Sequence, residues 1–104
     1  MILEQGGKKM YVRVVTISSK TGMEEKLRQI GRNVLVPINK DAGCVDVYFM
    51  EPSLEANNPY FGVVSVWRDK ESLESMKNSK NYCEMLQDIG PFIESVRDHL
   101  YVVD

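Results

Sequence analysis

The stretch FGVVSVWRDKESLESM, from Phe61 to Met76, sets a β-strand directly against the start of a helix. Small and β-branched residues up to Trp67 are typical of a strand, and Asp69 follows where an aspartate can cap a helix by accepting from backbone N–H groups. Leu73 and Met76 then recur at helical spacing. The junction predicts a strand that passes straight into a helix. It also raises the question of why that strand ends in the only tryptophan of the chain.

The same patterns on either side of this junction predict the remaining elements. Apolar residues at helical spacing after Thr21 predict a first helix, which Pro37 should end or bend because proline has no N–H to donate. The second helical region should break near Asn78. Runs rich in β-branched and aromatic residues predict three further strands, at Tyr11–Ser18, Cys44–Met50 and Val96–Val103.

The resulting order, β-α-β-β-α-β, defines an expected fold class. It is the split arrangement of an α+β ferredoxin-like sandwich, in which the helices lie on one face of a four-stranded antiparallel sheet. A chain of 104 residues suits one domain, which we expect over residues 10–104. Residues 1–9 precede the first strand and are expected to form a flexible extension.

Composition excludes several classes of function. Thirteen Lys and Arg against fifteen Asp and Glu leave no basic excess for a nucleic-acid partner. No apolar run reaches the roughly 18 residues of a membrane span. Cys44 and Cys83 lack a metal-site spacing, and with no signal-peptide pattern they predict reduced thiols in a cytoplasmic protein. A single histidine and the absence of glycine-rich nucleotide motifs predict neither a metal nor a cofactor.

Alternation along the strands sorts their side chains onto two faces. One set is aliphatic and is expected to pack under the helices: Val12, Val14, Val45, Val47, Phe49, Val64, Val66, Leu100 and Val102. The other is apolar, aromatic and ionisable: Tyr11, Arg13, Val15, Ile17, Asp46, Tyr48, Met50, Val63, Ser65, Trp67, Arg97, His99 and Tyr101. Such a surface suits neither water nor a dry core, so we expect a second copy of the chain to cover it in a homodimer with a small-molecule pocket.

Three residues of the mixed set are candidates for catalysis. Trp67 offers an indole for stacking on an aromatic ligand, although it would serve equally as a core residue. His99 is a candidate general base, because the ordinary histidine pKa of about 6.5 lies near working pH. Arg13 would stabilise a phenolate or enolate, unless it forms an ion pair with Asp46. Further candidates for contact with a small aromatic ligand are Tyr48, Asp46, Ser65, Tyr101 and Met50.

Three short motifs resemble the antibiotic-biosynthesis monooxygenase domain of the dimeric α/β barrel superfamily. They are the strand-ending tryptophan followed by Arg68-Asp69, the pair Gly43-Cys44 before strand two, and the paired glutamates at the first helix start. The resemblance spans roughly Met10 to Val103. It implies two ferredoxin-like protomers that meet through their sheets as a dimeric α/β barrel. It also implies cofactor-free oxidation of electron-rich polycyclic phenols or quinols.

A related branch of the superfamily degrades haem, using an asparagine on strand one, the strand-three tryptophan and a histidine on the next helical region. Only Trp67 matches that set, because Val15 and Leu86 stand at or near the other two positions. The sole histidine, His99, belongs to strand four, and a haem iron needs an axial ligand. The resemblance therefore disfavours haem degradation.

Three functions remain open from the sequence. The first is a cofactor-independent monooxygenase that uses the three catalytic candidates. The second is a non-catalytic ligand-binding dimer. It is suggested because Val63 stands where some phenol-oxidising members have an asparagine, and Met76 where other members have a histidine. The third is another superfamily activity, such as isomerisation of a small acid with Asp46 and His99 as base and acid. Fold-level analogy cannot choose between them.

Overall fold

The computed structural model describes residues 9–104, so that the proposed N-terminal extension lies outside the described residues except for Lys9. Four strands form one antiparallel sheet in the order β2-β3-β1-β4. They are β1 (Met10–Ser19), β2 (Asp46–Met50), β3 (Phe61–Trp67) and β4 (Ile93–Val103). The helices are α1 (Glu24–Ile30), α2 (Val36–Asp41), α3 (Lys70–Lys77) and α4 (Lys80–Ile89), with a π-helical segment at Gly31–Leu35 and a 3₁₀ turn at Gly90–Phe92. The α+β ferredoxin-like fold is confirmed.

Pro37 was expected to end or bend the first helix. It does not end the helical stretch, so the first of these two alternatives is wrong. The π-helical segment precedes it, and the N–H of Val36 donates to the carbonyl of Gly31, five residues back. Pro37 then stands in the first turn of α2, where its missing N–H costs little. Gly31 also allows close packing, because a Cβ there would collide with the ring of Phe49 on β2. The helical stretch therefore continues to Asp41 and lies tightly on the sheet.

The second helical region breaks where the sequence predicts. Asp69 caps α3 by accepting a hydrogen bond from the backbone N–H of Ser72 at 2.7 Å. The helix ends at Asn78, and Ser79 starts α4 by accepting from the N–H of Tyr82 at 3.2 Å. Two separately capped helices thus replace one long one.

Cross-strand register decides which side chains face the helices. Arg13 is opposite Ser65 on β3 and Leu100 on β4, and Ser65 is opposite Val47 on β2. Side chains in register with these share one face, which we call the helix-side face because it packs against α1 to α4. It holds the sheet's part of the core. The core residues are Ile17, Leu27, Leu35, Val47, Phe61, Val63, Trp67, Leu73, Met76, Tyr82, Met85 and Ile89.

The opposite face of the sheet carries no helix of the described chain and is called the open face. Its members include Val12, Val14, Asp46, Tyr48, Met50, Val64, Val66, Arg97, His99 and Tyr101. The sequence-based face assignment is correct for β2 and β4 but inverted for β1 and β3. Arg13, Ser65 and Trp67 lie under the helices, whereas the alternate valines of the same strands lie outside. Both sets are mostly apolar on β1 and β3, so alternation alone does not decide which set turns inward.

Edge strand β4 is exposed along nearly its whole length. Val96, Leu100 and Val102 share the helix-side face, yet they are 56%, 40% and 56% exposed because the helices do not extend over them. An edge strand with uncovered apolar side chains is available for contact with another chain. Within residues 9–104, the structure contains no helix with the length and apolar character needed to cross a membrane.

Candidate functional site

A cavity of about 390 Å³ lies between the helix-side face and α4. This is the size of a site for a small organic molecule. Its walls are largely apolar, with polar residues spaced among them. They are formed by side chains from β1, β3, β4 and α4, with contributions from the π-helical segment, α2 and α3. The apolar lining includes Val15, Ile17, Val63, Met85, Leu86 and Ile89, and the polar lining includes Arg13, Asn39, Ser65, Tyr82 and Asp98. Apolar walls with a few placed polar groups are typical of ligand pockets.

Arg13 is the fixed charge of this cavity. Its Nε donates to Oδ1 of Asp98 at 3.0 Å, and its Nη2 donates to Oδ2 of Asp98 at 2.6 Å. Nη2 also donates to the hydroxyl of Tyr82 at 3.0 Å. A two-pronged contact between guanidinium and carboxylate is stronger and more directional than a single one. With 7% of the residue exposed, Arg13 is held in one orientation from two sides.

The pair stays charged at neutral pH. Burial by itself lowers the pKa of Arg13, but the hydrogen bonds and charges of Asp98 and Tyr82 raise that pKa above its ordinary value. The hydrogen bond from Arg13 lowers the pKa of the Asp98 carboxyl. Nη1 of Arg13 has no acceptor among residues 9–104. The arginine therefore brings a cation to the cavity with two N–H groups available to a ligand.

Trp67 lies behind the cavity lining. None of its surface is exposed, and its indole Nε1 donates to Oγ of Ser65 at 2.9 Å. Ser65, in turn, lines the cavity. Of the two roles weighed for Trp67, these contacts fit the core residue, since the indole offers no free surface for stacking in the single chain. The strand ends in tryptophan because a large side chain with one polar atom fills this part of the core and pairs with Ser65.

The other predicted site residues lie on the open face, across the sheet from the cavity. His99 is next to Tyr101, with ring centroids 6.4 Å apart. The hydroxyl of Tyr48 donates to Oδ2 of Asp46 at 2.8 Å, and this hydrogen bond raises the pKa of Tyr48. Met50 occupies the same face at the end of β2. The sheet therefore separates His99 from Arg13, and the predicted catalytic trio is not assembled within one chain.

Two pairings considered from the sequence do not form within one chain. Arg13 makes its ion pair with Asp98 on β4 rather than with Asp46. Asp46 and His99 are on the outer strands β2 and β4, with β3 and β1 between them. Strands are about 4.8 Å apart, so three strand spacings alone separate the two residues by about 14 Å, and their register adds a further offset along the strands. Base and acid for an isomerisation are therefore not adjacent within one protomer.

Asp98 and Tyr82 are functional candidates that sequence reasoning missed. Asp98 is two residues from Leu100, so it shares the helix-side face and lies beside Arg13. The spacing of Asp98 from Leu100 could have placed it on the helix-side face. Its pairing with Arg13 was missed because Arg13 had been assigned to the opposite face. Tyr82 belongs to the apolar side of α4, where only its hydroxyl distinguishes it from a core residue. Its contact with Arg13 depends on how the helix packs.

Asn39 is the third missed residue and the most unusual one. It is 2% exposed and lines the cavity. Its Nδ2 donates to the carbonyl of Leu35 at 2.9 Å. Its Oδ1 is the one buried side-chain nitrogen or oxygen of residues 9–104 that has no hydrogen-bond partner. No residue pattern indicated this role, because the helix was expected to end or bend at Pro37.

No cluster of three or more His, Cys, Asp or Glu side chains arranged to hold a metal ion occurs within residues 9–104. The polar groups of the cavity lining are instead the buried Arg13, the ionised Asp98, the hydroxyls of Ser65 and Tyr82 and the amide of Asn39, together with the less buried Glu74, Lys77 and Asn78. Such a set can bind and orient an organic molecule that carries an anionic or hydroxyl oxygen.

Sheet, helices and cavity together define a two-layer α+β domain with a ligand-sized pocket between its layers. The chain belongs to the antibiotic biosynthesis monooxygenase family, whose model matches residues 10–87. No curated protein matches it with significance.

Solved structures with the same fold come from several organisms. A Pseudomonas aeruginosa protein is 19% identical with a TM-score of 0.78, over 92% of this chain and 95% of that chain. A Shewanella oneidensis protein is 18% identical with a TM-score of 0.78, over 93% and 95%. A proposed antibiotic biosynthesis monooxygenase of Nitrosomonas europaea is 18% identical with a TM-score of 0.76, over 88% of each chain. At these identities the likeness concerns the fold.

Proposed function

We propose that this protein is a cofactor-independent monooxygenase that oxidises a flat phenolic or quinol-type molecule bound in the cavity. The observation that carries the proposal is Arg13, a buried cation with free N–H groups at the wall of an apolar pocket. Membership of the monooxygenase family supports the same class of reaction. The apolar walls suit an aromatic skeleton, and the cation suits its ionised oxygen.

In the proposed reaction the substrate itself is the reductant. The guanidinium of Arg13 stabilises the phenolate over the phenol, so the hydroxyl ionises near neutral pH and its proton passes to water. The electron-rich anion reduces dioxygen. One oxygen atom enters the product, and the other leaves as water with the hydrogens that the substrate loses. The protein's part is to desolvate the anion, orient it and hold the compensating charge.

Asp98 and Tyr82 position the cation in this proposal. The carboxylate engages Nε and Nη2, and the Tyr82 hydroxyl engages Nη2, which leaves Nη1 for the substrate oxygen. The lowered pKa of Asp98 makes it a weak base, so its main effect is to fix Arg13. His99 takes no part in the cavity chemistry, because it lies on the open face.

We also propose that two copies of the chain associate through the open face and β4 as a homodimer. Tyr48 and Tyr101 on the open face are 54% and 55% exposed, beside half-buried valines. An apolar and aromatic sheet face of this kind is suited to burial in a two-fold interface. The cytoplasm is the proposed location, on the two free cysteines, Cys44 and Cys83.

Oxygen uptake by the purified protein tests the proposed activity. A panel of hydroxyanthrones, quinols and flavonols is supplied without any cofactor, and the product is checked for one incorporated oxygen atom. Arg13→Leu should lower the rate about 100-fold, the usual loss when a group that stabilises an oxyanion is removed. Arg68→Leu is the matched control, because Arg68 is exposed and outside the cavity lining. A ligand that binds and is released unchanged, with no oxygen consumed, would favour the non-catalytic ligand-binding dimer.

A further inference from the structure

The unpaired amide oxygen of Asn39 is a binding group that the proposed reaction does not use. Buried polar atoms without a partner are rare in proteins, because each costs free energy relative to its hydrated state. This atom belongs to a residue of the cavity wall. A donor carried by a molecule in the cavity would supply the missing partner. Oδ1 itself has less than 1 Å² of accessible surface, so the wall must move slightly for the two to meet.

The identity of the free atom is settled by its neighbour. A backbone carbonyl accepts hydrogen bonds and cannot donate them, so the side-chain atom that contacts the carbonyl of Leu35 must be the nitrogen of the amide. The remaining atom of Asn39 is then the oxygen, an acceptor. Both residues are buried, so this hydrogen bond also restrains the amide before any ligand arrives.

The local backbone accounts for the position of this asparagine. Leu35 is the last residue of the π-helical segment, and Asn39 follows one turn later in α2. The wider turn carries the helical stretch past Pro37, so that residues 38 to 41 continue over the sheet. π-Helical turns are often found at functional sites. Here the turn delivers a polar side chain to an otherwise apolar part of the wall.

We propose that Asn39 selects the substrate by accepting a hydrogen bond from a second polar group, a hydroxyl or amine, on the phenol. The inference rests on the proposed function for the first group, the phenolate oxygen at Arg13. The two recognition groups are of opposite type, since Nη1 of Arg13 donates and Oδ1 of Asn39 accepts. A monophenol, or a phenol whose second hydroxyl is methylated, leaves the asparagine oxygen unpaired. Dihydroxylated or amino-substituted phenols satisfy both groups.

Matched ligand pairs test this selectivity without oxygen. Dihydroxynaphthalenes of several substitution patterns, each beside its monomethyl ether, are titrated into the protein by calorimetry under argon. Because a buried acceptor left without a donor is costly, the preferred dihydroxy compound should bind roughly 10-fold or more tightly than its ether. Asn39→Leu should bind both within about two-fold, since its side chain has no acceptor. Asn33→Leu, on the exposed side of the same helical stretch, should keep the wild-type preference.

The measured quantity is the ratio of the affinities of a diol and its ether for the same variant. A modest loss of stability in Asn39→Leu therefore does not affect the result. Should that variant fail to fold, the wild-type pairs still decide, because equal affinity for every diol and its ether overturns the role of Asn39. A preference that survives in Asn39→Leu also overturns it. Selective binding without oxygen uptake supports the inference while contradicting the monooxygenase. Failure of every phenol to bind contradicts both.

Discussion

The two faces of the sheet differ in how their polar side chains are buried and paired. On the helix-side face the polar side chains are paired and mostly buried: the buried Arg13 binds the partly exposed Asp98, and the buried Trp67 binds the buried Ser65. On the open face the apolar side chains are half-buried at most, and the ionisable groups are exposed. The comparison teaches that a buried arginine in a small domain depends on a specific partner and not on nearby water. It also separates a face built for a ligand from one suited to another protein chain.

The strongest test of this difference replaces the tryptophan that seals the helix-side face. Trp67→Ala should lower the free energy of unfolding by about 3–5 kcal/mol, because it leaves a large cavity in the core and unpairs Ser65. Val66→Ala, at the neighbouring position on the open face, should cost clearly less in the isolated chain. Urea unfolding of both variants measures the two changes. Equal losses would show that the two faces are packed alike.

The open face is tested next through the mass of the assembly. Val64→Lys puts a charge in the middle of the open face and should reduce a homodimer to single chains at micromolar concentration. Light scattering after size-exclusion chromatography gives the mass, and circular dichroism checks the fold. Glu84→Lys, on the exposed side of α4, should leave the assembly unchanged. A wild-type mass of one chain would contradict the dimer.

The elements of the fold were predictable from the sequence, but for the two central strands the face that turns towards the helices was not. The strands, the helix break at Asn78 and the fold class were predictable, because β-branched runs, caps and helical spacing are local signals. For β2 and β4 the inward set was also predictable, since Val47 and Phe49 alternate with the more polar Asp46 and Tyr48. On β1 and β3 both sets are mostly apolar, and Arg13 and Ser65 make the inward set the more polar one, so polarity pointed to the wrong face.

The inversion on those two central strands explains why the predicted site residues fall on two faces of the sheet. A buried arginine is stable only with a partner, and the partner, Asp98, comes from a strand 85 residues further along the chain. Long-range pairs of this kind leave no local pattern in a single sequence. Asn39 was missed for a different reason, because the effect of Pro37 on the helix depends on whether a π-helical turn forms before it. The cavity therefore depends on contacts between distant parts of the chain, which the patterns within single strands do not predict.

The ion pair gives the pH-dependent prediction. Asp98→Asn should lower the free energy of unfolding at pH 7 by about 1–2 kcal/mol, because it weakens the partner of a buried cation while the carboxylate side is partly screened by water. The side chain of Asp98 is 41% exposed. Its lowered pKa means that the stabilisation is complete above the unfolded value of about 3.9 and is lost as pH falls below it.

Unfolding curves of wild type and Asp98→Asn across pH test the sign of this effect. The difference between them should be constant near neutral pH and shrink below about pH 4, where the wild-type carboxyl becomes protonated. Asp88→Asn, on an exposed position of α4, is the matched control and should show little difference at any pH. A gap that widens in acid would contradict the lowered pKa.

The hydrogen bond behind the cavity should have an effect of similar size to that of the ion pair. Ser65→Ala leaves the indole N–H of Trp67 without its acceptor and should cost about 1–2 kcal/mol of unfolding free energy. Ser75→Ala, on the exposed side of α3, should be close to neutral. Denaturant midpoints of the two variants provide the comparison. No difference between them would mean that the Trp67–Ser65 bond is replaced without cost.

One measurement tests the central claim that the cavity under the helices, and not the open face, carries the chemistry. Cofactor-free oxygen uptake with the best substrate of the panel is compared in wild type, Arg13→Leu and His99→Leu. We expect a loss of about 100-fold for Arg13→Leu and a change within about two-fold for His99→Leu. The opposite order, with His99 essential and Arg13 dispensable, would contradict it and move the active site to the open face.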